Sequence, residues 1–169
     1  LVYAVAAFAG IPPQILDAYR RYEGNLVVHN SIAGAIGKGF MRRCGIPQGC
    51  PLSMLFTALL MRPWVLMARA RGCLPRILAD DMLLIAKGKG AIRRFACVLD
   101  LSHQYLLDMG AKIAHGKSVN FASTKTARTW LAETAWNLAG GAIKVVQHMR
   151  YLGAVSYPTL TMPTTYPAL

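Results

Sequence analysis

The sequence predicts an α+β domain, because segments with helical periodicity and short strand-like runs follow one another in mixed order. Hydrophobic residues make up 54% of the 169 residues and charged residues only 15%, which excludes a disordered chain and is sufficient for a buried core. No internal repeat is visible. The turns between the periodic segments are marked by clusters of glycine and proline.

The first third of the chain predicts one helix and two strands. Residues 14–22 form a helical pattern that is entered at Pro12-Pro13 and ended by Gly24. Residues 26–29 and 40–43 follow as strands. The glycine-rich segment 31–39 between them has neither Walker nor dinucleotide-binding spacing, so we expect a flexible turn there.

Two longer helices are predicted on either side of a β-hairpin. The first covers residues 51–71, with Pro51 in its first turn and Pro63 kinking or interrupting it. The second covers residues 91–109 and stops at Gly110. Its predicted apolar face consists of Ile92, Phe95, Ala96, Leu99, Leu106 and Leu107.

The last third of the chain is again predicted to contain both strands and a helix. Strands are expected over 112–114, 119–122, 143–146 and 149–155, with a helix over 126–138. The tail from residue 156 is uncharged and rich in Thr and Pro, and is expected to be loosely ordered.

The charge balance predicts a polyanionic partner. Nineteen Lys and Arg against seven Asp and Glu give a net charge of +12, spread along the chain as in a broad nucleic-acid groove. An anionic membrane is the alternative, but no long basic amphipathic face is present. The uncharged run 44–61 is broken by turn residues, and no secretory signal is visible. The four cysteines show no zinc spacing and fit reduced thiols, so we expect an intracellular protein.

An acidic pair, Asp80-Asp81, lies within the otherwise apolar run 77–86. A carboxylate that leaves water needs a cation, and no Lys or Arg occurs between Arg76 and Lys87. A divalent ion such as Mg²⁺ would meet this need, since it prefers carboxylate oxygen and phosphates. The alternative is a solvated hairpin turn, in which Asp is common.

A second unusual segment covers residues 45–53, Gly-Ile-Pro-Gln-Gly-Cys-Pro-Leu-Ser. Two glycines and two prolines fix an unusual backbone path, and Gln48 offers both a donor and an acceptor. The path leads into a helix N-terminus, where free N–H groups favour phosphate. A rigid turn that merely caps the helix is the alternative.

Together, this segment and the later Leu-Ala-Asp-Asp resemble the reverse transcriptase of non-LTR, LINE-like retroelements. Residues 110–113 with Lys117 are similar to that family's next motif, and residues 151–153 to its primer grip. The resemblance implies a polymerase palm, a ferredoxin-like antiparallel sheet with helices on one face. It divides the chain into a fingers–palm connection (1–44), a palm core (45–125), a palm end with the primer-grip hairpin (126–155) and a tail (156–169).

The resemblance also implies roles for individual residues. Asp80 and Asp81 would bind the catalytic Mg²⁺ or Mn²⁺, and Lys117 would donate a proton or an electrostatic contact to pyrophosphate. The site residues implied for substrates are Pro47, Gln48 and Gly49 against template and nucleotide, and Tyr151, Leu152 and Gly153 against the primer. The implied partners are an RNA template, a DNA primer, dNTP and the rest of the retroelement polyprotein, in the nucleus or cytoplasm.

Two departures from the family pattern qualify this interpretation. Leu78 stands where relatives usually carry an aromatic residue. The mechanism also needs a third carboxylate upstream, and only Asp17 and Glu23, on or next to a surface helix, precede the loop. We therefore expect an N-terminally incomplete catalytic domain that does not extend a primer alone. The alternative is a non-catalytic nucleic-acid-binding remnant. The two differ in metal use, because only the catalytic interpretation expects Mg²⁺ or Mn²⁺ binding that is lost in Asp80→Ala.

Overall fold

The computed structural model describes residues 1–41, 45–46, 50–111, 113–114, 116–136, 138, 141–151 and 154–156, with backbone alone from 149 onward. The helices are α1 (Val2–Phe8), α2 (Pro13–Gly24), α3 (Ser53–Ala70), α4 (Ala91–Asp108) and α5 (Lys125–Glu133). The strands are β1 (Val27–Val28), β2 (Ser31–Ile32), β3 (Ala35–Ile36), β4 (Phe40–Met41), β5 (Leu74–Leu78), β6 (Asp81–Ile85), β7 (Val119–Phe121), β8 (Lys144–Val146), β9 (Met149–Tyr151) and β10 (Ala154–Ser156). This mixture confirms the α+β class.

The described strands pair two at a time. The antiparallel ladders include β1 with β4, β2 with β3, and β9 with β10, whereas β7 and β8 run parallel. The fifth pair is the hairpin of β5 and β6. The described strands thus do not join into the single antiparallel sheet that a palm implies.

The chain divides into two compact units. Unit 1 consists of Leu1–Met67 and Arg76–Leu83, and unit 2 of Ala68–Pro75 and Leu84–Leu169. Each unit has its own hydrophobic cluster.

The core of unit 1 is formed by Ala6, Leu16, Tyr19 and Phe56. The rings of Tyr19 and Phe56 meet edge to face, with centroids 5.1 Å apart. Ala6 belongs to helix α1, which the sequence pattern did not predict. The segment is apolar on all sides and therefore has no helical periodicity, although its alanines favour a helix.

Helices α2 and α3 follow the prediction closely. Pro13 occupies the first turn of α2, and the helix ends at Gly24. Pro63 lies inside α3 without interrupting it, so of the two predicted alternatives the interruption is wrong and the kink stays a prediction. Because proline has no N–H, one helical hydrogen bond is lost at that turn, and the hydrogen bonds of the flanking turns suffice to continue the helix.

The predicted flexible turn over residues 31–39 is also wrong. Strands β2 and β3 form a tight hairpin there, and β1 and β4, which flank it in the sequence, form a separate antiparallel ladder. Its turn residues Ala33 and Gly34 have φ angles of 51° and 83°, as two-residue hairpin turns require. Ile32 and Ile36 are exposed, so no burial pattern revealed these strands.

In unit 2 the core is formed by Leu131, Trp136 and Ile143. The side chains packed against it are Phe95, Ala96, Leu99, Ala122 and Val145. The predicted apolar face of α4 is therefore right at Phe95, Ala96 and Leu99. It is wrong at Ile92 and Leu107, which are 38% and 46% exposed.

The C-terminal elements are shorter than predicted. Helix α5 ends at Glu133 rather than at residue 138, and Trp136 instead lies in an isolated bridge with Gly141. Strands β7 and β8 lie within their predicted ranges, whereas Ile113 and Ala114 are not in a strand. The range 149–155 holds two strands rather than one. The predicted loose tail 156–169 is wrong at Ser156, which is the last residue of β10, and the rest of it lies outside the described residues.

Candidate active site

The acidic pair lies at the tip of the predicted β-hairpin, which the structure confirms. Strand β5 ends at Leu78, Ala79 and Asp80 form the turn, and Asp81 is the first residue of β6. A connection this short between two paired strands makes them antiparallel. Ala79 has a φ angle of 52°, a left-handed conformation that a residue with a Cβ adopts at a cost.

Both carboxylates are exposed, so the expectation that they leave water within the apolar run is wrong. The run 77–86 suggested that the pair is buried, but Asp80 and Asp81 are both open to solvent. The apolar residues of β6 that follow Asp81 are half-buried instead. Because exposed carboxylates keep their hydration, the local environment imposes no requirement for a cation.

The donor set nevertheless fits a divalent ion. Among the described residues, no Lys or Arg forms an ion pair with Asp80 or Asp81. Two adjacent, accessible carboxylates are the usual protein share of a Mg²⁺ site, in which waters and substrate phosphates supply the other ligands. No cluster of three or more His, Cys, Asp or Glu is found in the described part of the chain.

The glycine-proline loop is described at its two ends only. Pro47, Gln48 and Gly49 lie outside the described residues. On one side Ile46 packs against the core of unit 1, and on the other side Cys50 packs against the same core. Both ends of the loop are therefore anchored in the unit that carries the acidic pair.

The entry into α3 is fixed by local hydrogen bonds. Ser53 donates its hydroxyl to the carbonyl oxygen of Cys50 at 2.7 Å, and its backbone N–H reaches the same oxygen at 3.0 Å. Thr57 in turn donates its hydroxyl to the carbonyl of Ser53 at 2.9 Å. The backbone that leaves the loop therefore has a defined direction where the helix begins.

The other predicted site residues belong to unit 2. Lys117 is exposed and lies in a turn in which its N–H bonds the carbonyl of Ala114 at 3.0 Å. Tyr151 ends β9 and pairs with Ala154 of the antiparallel strand β10. Leu152 and Gly153, the other predicted primer-grip residues, lie outside the described residues.

A cluster of arginines escaped the sequence reasoning, which treated them as part of a diffuse charge. Arg71, Arg93 and Arg94 line one cavity in unit 2. The signal that could have found it is the first turn of α4, which carries two of these arginines and no acidic residue.

None of the helices in the described part of the chain has both the length and the apolar character needed to span a membrane. No protein-family model matches the chain, and no curated protein or solved structure is significantly similar to it.

Proposed function

We propose that the chain is part of a reverse transcriptase of the non-LTR retroelement type, with its palm site at the β5–β6 hairpin. The observation that carries the proposal is the position of Asp80 and Asp81 at the tip of a hairpin that follows helix α3. In the sequence, residues 45–52 directly precede that same helix. The order and spacing of the two motifs in the sequence, and the hairpin at Asp80 and Asp81, support the proposal.

The carboxylates would hold Mg²⁺ or Mn²⁺. When bound, such an ion lowers the pKa of an attacking hydroxyl and neutralises the charge of a triphosphate. Asp80 and Asp81 supply hard anionic oxygens at the tip of a short hairpin. Their exposure supports the role, because a nucleotide and a primer terminus must reach the same ion from solvent.

The strained turn is consistent with a functional hairpin. Ala79 has a positive φ, and such strain is often found where a structure fixes the direction of an active side chain. The turn fixes the backbone on the N-terminal side of Asp80. The hairpin would therefore present its carboxylates in one orientation with little reorganisation on binding.

Lys117 would act later in the same reaction, as a positive group near the leaving pyrophosphate. Its exposure and the defined turn at Ala114 are compatible with this role. The Pro-Gln-Gly loop and the primer-grip hairpin would contact template, nucleotide and primer.

Nuclear magnetic resonance with Mn²⁺ tests the proposal residue by residue. We expect paramagnetic broadening to centre on the amides of the β5–β6 turn, and to disappear in Asp80→Asn/Asp81→Asn. Asp100→Asn is the matched control, since Asp100 is an exposed carboxylate on α4. Broadening that persists in the double variant, or that centres elsewhere, would contradict the proposal.

The effect of substrates on Mn²⁺ binding distinguishes a polymerase from a non-catalytic nucleic-acid-binding protein. If the site is catalytic, adding an RNA–DNA hybrid with the matching dNTP should strengthen Mn²⁺ binding at the turn, because phosphates complete the coordination. A chain that binds the hybrid without any effect on the metal would instead favour the non-catalytic alternative.

A further inference from the structure

The segments of unit 2 that flank the hairpin are strongly basic. Residues 68–75 and 84–99 contain no acidic residue. Their basic residues are Arg69, Arg71, Lys87, Lys89, Arg93 and Arg94. A cavity of about 260 Å³ lies among them, lined by Arg71, Arg93, Arg94, Cys97 and Val98. We call it the arginine cavity.

Arg94 is held in place by the loop that precedes α4. Its Nη1 donates to the carbonyl of Lys89 at 2.7 Å, and its Nη2 donates to the carbonyl of Lys87 at 2.6 Å. Its Nε is buried and has no hydrogen-bond partner. The guanidinium is therefore a fixed positive charge in the cavity wall, with one donor left unsatisfied.

Two glycines make room for this side chain. A Cβ at Gly72 would lie 3.3 Å from Cδ of Arg94, and a Cβ at Gly90 would lie 3.3 Å from Nη1. Both glycines also have φ angles of 73°, which disfavour other residues. The backbone at both glycines therefore lies close to the side chain of Arg94.

The start of α4 adds to the positive potential. The N-cap residue Gly90 provides no side-chain cap, and the first turn carries Arg93 and Arg94 instead of the acidic residues that stabilise a helix N-terminus. Among the described residues, neither arginine forms an ion pair with a carboxylate. Two cations beside the positive end of a helix dipole destabilise the folded chain unless an anion neutralises them.

We propose that the arginine cavity binds a backbone phosphate of a nucleic acid. The guanidinium of Arg is planar and donates two parallel hydrogen bonds to phosphate, and Arg71 and Arg93 are both exposed at the cavity. The other Lys and Arg residues along these segments make the positive surface larger than one phosphate needs. Such a surface can contact several phosphates of a polyanion.

The cavity suits the backbone better than the bases. Among the described residues, its wall consists of Val98, Cys97 and guanidinium groups, without an aromatic ring on which a base could stack. Phosphate contacts of this kind position a nucleic acid without reading its sequence. The inference concerns unit 2 alone and does not depend on metal binding at Asp80 and Asp81.

Binding of a fluorescent RNA–DNA hybrid of random sequence to the full chain tests the inference. We expect Arg71→Gln and Arg93→Gln each to lower the slope of log affinity against log salt by about one, the loss of one phosphate contact. Arg62→Gln is the matched control, because Arg62 is an exposed arginine of a helix outside the cavity. An equal loss in all three variants would overturn the inference in favour of diffuse charge.

Cys97 provides a local readout that does not require a substitution. Its thiol is exposed and lines the cavity. We expect saturating hybrid to slow alkylation of Cys97 by an uncharged reagent several-fold in the unmodified chain. Slowing should be lost in Arg71→Gln/Arg93→Gln when circular dichroism shows that this variant is folded. Unchanged alkylation in the presence of bound hybrid would overturn the proposal.

Two other anions complete the experiment. Protection of Cys97 by inorganic phosphate but not by the hybrid would mean a site for small anions and would overturn the inference. Protection only by phosphatidylserine vesicles would assign the cavity to a membrane surface and would overturn it equally. Because Asp80→Asn/Asp81→Asn should keep hybrid protection of Cys97, failure of the metal site and failure of the cavity are distinguishable.

Discussion

The hydroxyl oxygen of Tyr19 lies 3.0 Å from Sγ of Cys50, so helix α2 is tied to the segment that enters helix α3. Tyr19 is buried in the core of unit 1. Cys50 directly follows the Pro-Gln-Gly sequence and packs against that core. This contact therefore connects α2 with the residue that directly follows the Pro-Gln-Gly sequence of the proposed polymerase motif.

Replacement of Tyr19 by phenylalanine isolates this contact. We expect Tyr19→Phe to lower the free energy of unfolding by about 0.5–1 kcal/mol, because the ring stays packed while one hydrogen bond is lost. Urea unfolding measures the difference. The control is Tyr22→Phe on the same helix, since Tyr22 is 53% exposed and should change little. Equal effects in the two variants would contradict a specific role for the contact.

The same aromatic cluster predicts sensitivity to alkaline pH. Burial raises the pKa of Tyr3 to about 12, and the hydrogen bond that its hydroxyl donates to Glu23 adds to the effect. Burial also raises the pKa of Tyr19, with the contact to Cys50 as the second cause. In the unfolded chain both tyrosines ionise near pH 10.

The direction of the change in stability with pH follows from the protons bound by the folded and unfolded chains. Above about pH 10 the unfolded chain loses phenolic protons that the folded chain keeps, so stability falls as pH rises towards about 12. Below about pH 9 these tyrosines contribute no pH dependence. Urea unfolding at a series of pH values tests this, and Tyr3→Phe should flatten the alkaline decline. A decline of unchanged slope in that variant would assign it to other groups.

The parts of the fold that the sequence predicted well are those where a local signal coincides with burial. Pro13 and Gly24 mark both ends of α2, and the buried residues Leu16 and Tyr19 follow helical spacing between them. Helix α1 and the β2–β3 hairpin were missed for opposite reasons. Helix α1 is apolar on all sides, so its sequence shows no alternation of apolar and polar faces. In the hairpin the apolar residues are exposed to solvent, so they do not mark a buried face.

For the candidate site, sequence alone predicted the hairpin but not its environment. An apolar run around Asp80 and Asp81 suggested burial, whereas Asp80 lies in the turn and Asp81 at the first position of β6, where both are exposed. A pattern of residue types reports the average environment of a strand and not the position of its turn. The arginine cavity combines Arg71, which follows α3, with side chains of α4, a proximity that no local pattern encodes.

Helix α5 predicts a measurable capping energy. Oγ1 of Thr124 accepts a hydrogen bond from the N–H of Ala127 at 3.3 Å, which satisfies one free donor of the first turn. We expect Thr124→Ala to lower the free energy of unfolding by about 1 kcal/mol and Thr124→Asp to restore it. Thr129→Ala, at an exposed position of the same helix, is the control. Failure of Asp to rescue would show that the threonine acts through packing.

The turn that carries the acidic pair predicts a substitution that stabilises the protein. Ala79 has a φ angle of 52°, where its Cβ crowds the following carbonyl oxygen. Glycine removes that crowding, so we expect Ala79→Gly to raise the free energy of unfolding by up to about 1 kcal/mol. Ala70→Gly in the last turn of α3 should have the opposite sign, because there glycine only adds conformational freedom to the unfolded chain.

The same variant connects strain with the proposed site. If the positive φ of Ala79 orients the carboxylates, a glycine that accepts this φ keeps the Mn²⁺ broadening at the β5–β6 turn while stability rises. Ala79→Pro is the complementary change, since proline is fixed near a φ of about −65° and cannot adopt the observed angle. We expect Ala79→Pro to abolish metal broadening and to destabilise the hairpin. Retention of full Mn²⁺ binding in Ala79→Pro would show that the turn geometry does not position Asp80 and Asp81.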